Sequence, residues 1–361
     1  MARGRSDRAR VRGRALRRAP TPRGHRHARA RGARVAGAFD TRVIRPEPGS
    51  ACTPGPARAG PVVAIVGPTA SGKSALALDI AETHDGEIVS ADSRQVYRGL
   101  SIGTAKPTAQ ERARVPHHLI DVADAVERYD VSRYQREARA ALADIARRGR
   151  LAVVVGGTGL YVRALLDGLD LDAVPTDPDL RASLEAEAAA GADLHARLAA
   201  IDPEAAANVD ARNVRRVIRY LEASLLGGAV SARWRRRDAI PSTKIGLDPP
   251  RPWLLERIER RARAMVEQGV LDEARGLLAR AIDPRLPSMS AHGYVHWMAH
   301  LRGEIDLERA IQLTIRDTRA YSRRQMTWFR RDPGVRWCDP TSINSVAFVS
   351  ALLGEAASLT T

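Results

Sequence analysis

Short apolar runs alternate with longer amphipathic segments from residue 61 onward. Residues 62–66, 87–90 and 151–155 have the length and composition of strands buried on both faces. Between them, residues 74–84 and 131–148 are expected to form helices, and the second of these should end at Gly149. Strands that alternate with helices predict an α/β fold, a parallel sheet flanked by helices.

The pattern changes after residue 175. Residues 176–235 are rich in Ala, Glu and Arg and contain no strand-like run, which predicts a small all-helical insertion domain. A proline-containing loop over 240–252 is expected to lead into a long helix around 254–266. A last helix is expected over about 305–330, and residues 341–361 are expected to form an irregular C-terminal tail.

Residues 1–60 differ from the rest of the chain in charge. They contain 16 Arg and 3 acidic residues, whereas the remaining residues carry 42 basic and 39 acidic side chains. Few of residues 1–60 are large and apolar, so this segment cannot bury enough surface to offset the entropy lost on folding, and we expect a disordered Arg-rich tail. An RNA-binding arm, a targeting peptide and an extension without function are all open, and we favour the last. The α/β core is then expected at 61–175 and 236–340.

Composition excludes several classes of protein. No apolar run approaches the length of a membrane span, so no membrane partner is expected. Two cysteines, Cys52 and Cys338, cannot build a disulfide framework or a four-ligand zinc site. The cysteine content therefore favours a protein of the reducing cytoplasm. We also expect a monomer.

The chain carries one strong phosphate-binding motif. Residues 67–74, GPTASGKS, match the pattern G-x-x-x-x-G-K-[ST] between a predicted strand and a predicted helix. In such a loop, backbone N–H groups surround a phosphate, Lys73 neutralises its charge, and the Ser74 hydroxyl can bind Mg²⁺. The chain has 3 Lys and 55 Arg, so a lysine at this position indicates that the loop needs a compact ammonium group. The motif predicts a P-loop NTPase-like sheet, but it leaves open which phosphate compound is bound.

Two further polar positions follow predicted strands. Asp92 comes after the second strand, where it could hold Mg²⁺ through water, accept a proton or cap a turn. Thr158 follows the third strand within a glycine-rich turn and could reach the same crevice. His117 and His118 are adjacent on a segment expected to be irregular, which disfavours a shared metal ion.

Arginines recur at helical spacing in three later segments. One cluster lies within 210–222, Arg257 and Arg261 are four residues apart, and a stripe with interleaved aromatic residues runs over 316–330. A single such face is most often solvated. Three of them beside a phosphate loop favour contact with RNA or a diphosphate.

Seven motifs together resemble the bacterial tRNA dimethylallyltransferases, in the same order along the chain. They are GPTASGKS at 67–74, DSRQVYR at 92–98, GTAKP at 103–107, PHHLID at 116–121, VGGTGLY at 155–161, RRVIR at 215–219 and RRQMTWFR at 323–330. The resemblance covers residues 61–339 and excludes the N-terminal tail.

The resemblance implies transfer of a dimethylallyl group from dimethylallyl diphosphate, with Mg²⁺. The acceptor would be the exocyclic amine of adenosine 37 in the anticodon stem-loop of tRNAs that read codons starting with U. The resemblance implies three catalytic residues: Asp92, which would act as the base, Thr158 and Lys73. The diphosphate would be bound by Gly67, Pro68, Thr69, Ala70, Ser71, Gly72, Lys73, Ser74 and Arg257, with Ser74 as the metal ligand. The tRNA would contact Asp92, Ser93, Arg94, Gln95, Thr158, Arg181, Arg215, Arg216, Val217, Ile218 and Arg219.

The chain departs from the family pattern at three positions. Ser290 and Val295 stand where basic residues usually flank the Gly293-Tyr294 pair, and Tyr220 replaces a small residue. The main alternative is an adenylate isopentenyltransferase that acts on free AMP, ADP or ATP, for which the helical insertion would have no use. A small-molecule kinase and a non-catalytic RNA-binding protein are weaker alternatives.

Overall fold

The computed structural model describes residues 62–169, 176–233, 239–282, 286–290, 293–342 and 344–358. The expectations for residues 1–60, including Cys52, lie outside the described residues. One parallel sheet with the strand order β3-β2-β4-β1-β5-β6 forms the centre of the described part. Its strands are β1 (Val62–Val66), β2 (Gly86–Ser90), β3 (His117–His118), β4 (Leu151–Val155), β5 (Ser242–Leu247) and β6 (Val335–Cys338). The predicted parallel sheet is confirmed.

Helices connect these strands and cover both faces of the sheet. In the first half they are α1 (Lys73–Thr83), α2 (Ala109–Arg114), α3 (Val131–Arg147) and α4 (Gly159–Leu166). The next five are α5 (Pro178–Ala189), α6 (Leu194–Ile201), α7 (Pro203–Ala207), α8 (Val214–Gly227) and α9 (Val230–Arg233). The remaining ones are α10 (Arg251–Glu267), α11 (Val270–Ala279), a 3₁₀ turn (Pro287–Ser290), α12 (Tyr294–Leu301), α13 (Leu307–Phe329) and α14 (Ser345–Ser358).

Strand β1 shows why the early apolar runs contain no polar alternation. Val62, Ala64 and Val66 pack into the core that α3, α4 and α10–α13 cover, whereas Val63 and Ile65 pack against α1 and α14. All five residues are buried because both faces of the sheet are covered. Among the described residues, no helix is long and apolar enough to span a membrane.

Helices α5–α9 form the expected helical insertion. Four of them begin at a residue whose side chain accepts a hydrogen bond from the first turn: Asp177, Asp193, Asp202 and Asn213. The insertion has an apolar cluster of its own, which includes the fully buried Leu184, Leu198 and Leu221. Short polar and acidic residues thus set the helix starts, and leucines bury the inner faces.

The structure corrects three of the predictions. Residues 240–252 contain a strand, β5, in register with β1 from Val62–Ser242 to Val66–Gly246. The first half of β5 is only half-buried and polar, so it lacks the apolar run that marked the other strands. His117 and His118 form a short edge strand, and not an irregular segment. The C-terminal tail is also not irregular, because α14 covers α1 and buries Val349 and Leu352 there.

Candidate active site

The site lies at the carboxyl ends of three neighbouring strands. Because β1, β4 and β2 are adjacent and parallel, the segments that follow them meet at one edge of the sheet. The backbone N–H of Gly156 donates to Ile65 O at 3.2 Å, and that of Ala91 donates to Val155 O at 2.7 Å. The phosphate loop, the segment after Asp92 and the turn at Thr158 therefore converge, as the sequence predicts.

The phosphate loop is a tight turn that closes on a lysine. Gly67 has φ 136°, and a Cβ at that position would be 2.8 Å from Leu247 O, so a glycine is required. Gly72, with φ 98°, precedes the first residue of α1. The ammonium group of Lys73 donates to Pro68 O at 2.5 Å. The loop therefore presents its backbone N–H groups and Lys73 at the N-terminus of α1.

Burial is the main reason why the pKa of Lys73 falls from 10.5 to about 7; the Asp92 carboxylate opposes this effect, and Arg261 adds to it. A buried cation that is costly to charge gains the most when an anion binds beside it. The Ser71 hydroxyl is buried without a hydrogen-bond partner in the described part of the chain. Ser74 is exposed on the first turn of α1. The hydroxyl groups of Ser71 and Ser74 can therefore bind a polar ligand at the loop.

Asp92 lies in a turn that fixes only one of its carboxylate oxygens. Its Oδ1 accepts hydrogen bonds from the N–H groups of Arg94 at 2.8 Å and Gln95 at 3.4 Å. The N–H of Ser93 donates to Thr158 Oγ1 at 3.0 Å, and that hydroxyl donates to Ser93 Oγ at 3.3 Å. Asp92 therefore serves as a turn residue, yet Oδ2 accepts no hydrogen bond from the described residues and can accept a proton.

Helix α10 supplies two arginines to the loop. Arg257 Nε donates to Ala70 O at 2.9 Å, and Arg257 also stacks on Trp253 at 4.5 Å. Arg261 donates to Thr69 Oγ1 at 2.8 Å, and burial lowers its pKa. The family resemblance implies that Arg257 binds the diphosphate, whereas Arg261 was noted in the sequence only for its four-residue spacing from Arg257.

Helix α13 supplies two residues that the sequence analysis missed as site residues. Gln325 Oε1 accepts from Thr69 N at 2.7 Å, so α13 holds the loop as well. Tyr321 lines the same pocket as Asp92, and burial together with the Asp92 carboxylate raises its pKa to about 12, against the opposing effect of Thr158 and Gln325. Both residues lie in or beside the RRQMTWFR motif, which was the only signal available for them.

One pocket connects these groups. Its walls are formed by the phosphate loop, the Asp92 turn, the segment at Gly103, α10 and α13. Its lining residues are Thr69, Asp92, Arg94, Gly103, Thr104, Ile258, Arg261, Ala262, Met265, Thr314, Thr318 and Tyr321. The pocket therefore combines a residue of the phosphate loop, a carboxylate, an arginine and apolar side chains of α10.

A second layer of contacts holds the wall of the pocket. The side-chain amide of Gln95 donates to Thr104 O at 3.3 Å and Ala105 O at 3.1 Å. Arg94 donates to Pro287 O at 2.5 Å. Ser93 is held by Thr158, as described above. These three predicted tRNA contacts thus also hold loops of the protein itself.

In the insertion, the predicted contact residues separate into two groups. Arg181 and Arg219 donate to the fully buried Glu222, at 2.8 Å and 2.9 Å. Val217 and Ile218 lie in the apolar core, with exposures of 1% and 4%, so their side chains do not face a ligand. Arg215 and Arg216 are exposed on α8. Among the predicted residues of α8, these two present the basic surface.

The Gly293-Tyr294 pair is part of the core. Tyr294 is fully buried and hydrogen-bonded to Glu273, whose carboxylate accepts from the N–H groups of Ser101 and Ile102 at 2.9 Å. Val295 is exposed beside it, at 53%. The pair therefore supports the loop at the pocket wall. Among the described residues, no group of three or more His, Cys, Asp or Glu side chains could hold a metal ion.

The parallel sheet, the loop after β1 and the carboxylate after β2 define an α/β protein of the P-loop type with a pocket beside that loop. Two family models match the chain, "IPP transferase" over residues 95–332 and "Isopentenyl transferase" over residues 60–121. The chain belongs to the IPP transferase family.

Relatives and solved structures agree with this assignment. The chain is 51% identical to a tRNA dimethylallyltransferase of Anaeromyxobacter dehalogenans over 288 residues, which are 77% of this chain and 95% of the relative. It is 50% identical to one of Roseiflexus sp. over 76% of this chain and 92% of that relative. The tRNA isopentenylpyrophosphate transferase of Bacillus halodurans has a TM-score of 0.62 at 40% identity, covering 83% of this chain and 99% of that one. A eukaryotic dimethylallyltransferase acting on tRNA has a TM-score of 0.68 at 25% identity, covering 81% and 78%.

Proposed function

We propose that the protein transfers the dimethylallyl group of dimethylallyl diphosphate to the exocyclic amine of adenosine 37 in tRNAs that read codons starting with U. The products are N6-dimethylallyladenosine and diphosphate. The relatives that match the chain over most of their own length are named tRNA dimethylallyltransferases.

The observation that carries this proposal is the pocket beside the phosphate loop. A nucleotide kinase needs a second polar site for its phosphate acceptor. Here the residues that line the pocket together with Thr69 and Arg261 include Ile258, Ala262 and Met265 of α10. An allylic diphosphate, with a charged head and a five-carbon apolar tail, matches that combination of polar and apolar walls.

The chain's own residues account for the chemistry. As the bond between the allylic carbon and the diphosphate oxygen breaks, Lys73 and the N–H groups of the loop stabilise the negative charge on the leaving group. The amine nitrogen forms the new bond to carbon, and its proton passes to Oδ2 of Asp92. Thr158 holds the turn that presents Asp92, through the N–H of Ser93.

Mg²⁺ fits the donor set at the loop. The exposed hydroxyl of Ser74 lies on the first turn of α1, beside Lys73. Since carboxylates do not cluster there in the described part of the chain, diphosphate oxygens and water would complete the coordination, as is usual for this ion. When bound, Mg²⁺ would neutralise charge on the departing diphosphate.

The acceptor is proposed to lie between the pocket and the insertion. Arg215 and Arg216 form an exposed basic surface on α8 that suits the phosphates of an anticodon stem. Because Asp92 lines the pocket, the target base must leave the stack of the anticodon loop to reach it. A free nucleotide would have no contact with the insertion, which disfavours the adenylate alternative. We further propose a cytoplasmic monomer, since the substrate tRNA is there and one chain supplies every site residue described.

A single assay tests the proposal. Labelled dimethylallyl diphosphate and Mg²⁺ are offered to an anticodon stem-loop that contains adenosine 37, together with AMP and ATP. We expect label on the stem-loop alone, and none on a stem-loop with guanosine at position 37. Label on AMP or ATP would instead indicate an adenylate isopentenyltransferase.

A further inference from the structure

Gln325 connects two parts of the site that are far apart in sequence. It lies on α13, and only 4% of it is exposed. Its Oε1 accepts from the N–H of Thr69 in the phosphate loop at 2.7 Å, and its Nε2 donates to Gly157 O in the turn after β4 at 2.9 Å. One side-chain amide therefore spans the gap between the loop and that turn.

The orientation of the Gln325 amide follows from its two partners. A backbone N–H can only donate and a carbonyl oxygen can only accept, so the amide oxygen must face Thr69 and the amide nitrogen must face Gly157. The fit is close, because a Cβ on Gly157 would lie 2.0 Å from Nε2. A hydrocarbon side chain at position 325 could make neither hydrogen bond. A residue larger than glycine at position 157 would displace the amide that makes them.

The connection continues to the proposed base. The carbonyl of Gly157 that accepts from Gln325 belongs to the turn at Thr158. Thr158 follows Gly157 directly and holds the N–H of Ser93, the residue after Asp92. Hydrogen bonds thus connect the phosphate loop, through Gln325, to the Gly157–Thr158 turn, and that turn to the segment after Asp92.

We propose that Gln325 is a positioning residue that sets the spacing between the diphosphate site and the Asp92–Thr158 turn. The proposal rests on the proposed function, in which the breaking bond is held by the loop and the amine by the turn. Misplacing reacting groups by about 1 Å can cost about 10²-fold in rate. Gln325 would therefore act on turnover without touching the tRNA.

The test compares Gln325→Met with Gln312→Met. Methionine has a similar length and no charge, so it keeps the packing but loses both hydrogen bonds; Gln312 is exposed on the same helix. For Gln325→Met we expect turnover at saturating substrates to fall at least tenfold. We also expect the Kd of inorganic diphosphate in Mg²⁺ buffer to rise at least threefold, and the KM for the stem-loop to change less than twofold. Gln312→Met should match the wild type in all three.

A double-mutant cycle with Thr158→Ala tests the proposed route. If Gln325 acts through the Thr158 turn, the double variant loses less turnover than the product of the two single losses. Wild-type turnover in Gln325→Met, or fully multiplicative losses in the cycle, would overturn the proposal. If Gln325→Met does not fold, Gln325→Glu keeps the shape and the acceptor for Thr69 but loses the donor to Gly157, and it should also lower turnover.

The two proposals fail in different ways. If the wild type transfers no label to any acceptor, the proposed function is wrong, while the diphosphate-binding comparison still tests the contact between Gln325 and the loop. If the wild type is active and Gln325→Met is equally active, only the positioning role is wrong.

Discussion

The sheet edge and the helical insertion use their charged residues in opposite ways. At the sheet edge, Lys73 and Asp92 are hydrogen-bonded within their own turns, and Arg261 of α10 donates to Thr69 in the phosphate loop, so their positions are set before any ligand arrives. On the insertion, Arg215 and Arg216 are exposed, and Arg216 donates to the hydroxyl of Tyr220, a neighbour on the same helix, at 2.7 Å. Chemistry needs fixed distances, whereas a charged RNA stem can be bound by a surface whose side chains adapt to its phosphates.

The opposite end of the sheet and the insertion each contain a buried carboxylate that pairs with basic side chains. Glu87, at the start of β2, pairs with Arg148 and His118, each at 2.7 Å. Glu222, in α8, pairs with Arg181 and Arg219. These carboxylates support each region separately. A variant in one region should therefore change one property: turnover for Asp92, the stability of the insertion for Glu222, or the stability of the core for Glu87.

The largest expected effect is on turnover, in Asp92→Asn. The amide keeps the acceptor for the N–H groups of Arg94 and Gln95 but cannot take the proton of the amine. We expect kcat to fall by roughly 10²–10⁴, with stem-loop affinity within threefold of wild type. Single-turnover transfer and stem-loop binding are measured in parallel, with Asp79→Asn on the exposed face of α1 as the control. Undiminished kcat would remove Asp92 from the mechanism.

A change at Glu222 should act on the insertion alone. In Glu222→Ala, the N–H of Asp177 and two arginines lose their shared partner. We expect the free energy of unfolding to fall by about 3 kcal/mol, the lower end for breaking a buried pair. Urea denaturation measures this loss. Inorganic diphosphate binding below the transition should be unchanged, and a matching loss there would mean that the two regions are not independent.

Glu87 should make the core sensitive to acid. The hydrogen bond from Arg148, together with that from His118, lowers the pKa of Glu87 from 4.5 to about 2, against the opposing effect of burial. Since the folded-state pKa is the lower one, this carboxylate stabilises the fold above pH 4.5, and the stabilisation is lost as the pH falls from 4.5 to about 2. Its size is roughly 3 kcal/mol. Urea denaturation of the wild type and Glu87→Gln at pH 7 and pH 3 measures it. A stability difference between the two proteins that does not shrink at pH 3 would contradict the assignment.

The smallest effect is expected for Arg215→Ala combined with Arg216→Ala. Loss of phosphate contacts should raise the KM for the stem-loop about tenfold and reduce the slope of log affinity against log salt by about 1–2, with kcat unchanged. Arg212→Ala is the matched control, since Arg212 is ion-paired with Asp210 close by in the sequence. An equal effect in the control would mean that general charge, and not this surface, binds the RNA.

The parts of the fold that could be predicted are those with a local pattern. The strands β1, β2 and β4 are short apolar runs, and α3 has apolar residues at helical spacing. Strand β5 was missed because half of it is polar, and α14 because its apolar residues have no strong periodicity. Strand β5 is stabilised by pairing with β1, and α14 by packing against α1, and both partners are far away in the sequence.

The sequence by itself determined the phosphate loop, the carboxylate after the second strand, the helical insertion and the resemblance to a family. These features depend on residues close together in the chain, or on motifs in a fixed order. Only the tertiary structure decided that Gln325 holds Thr69, that Arg261 reaches the loop from α10, and that Val217 and Ile218 point into a core. The partners of Gln325 lie 256 and 168 residues away, and contacts of that range leave no periodic trace in a sequence.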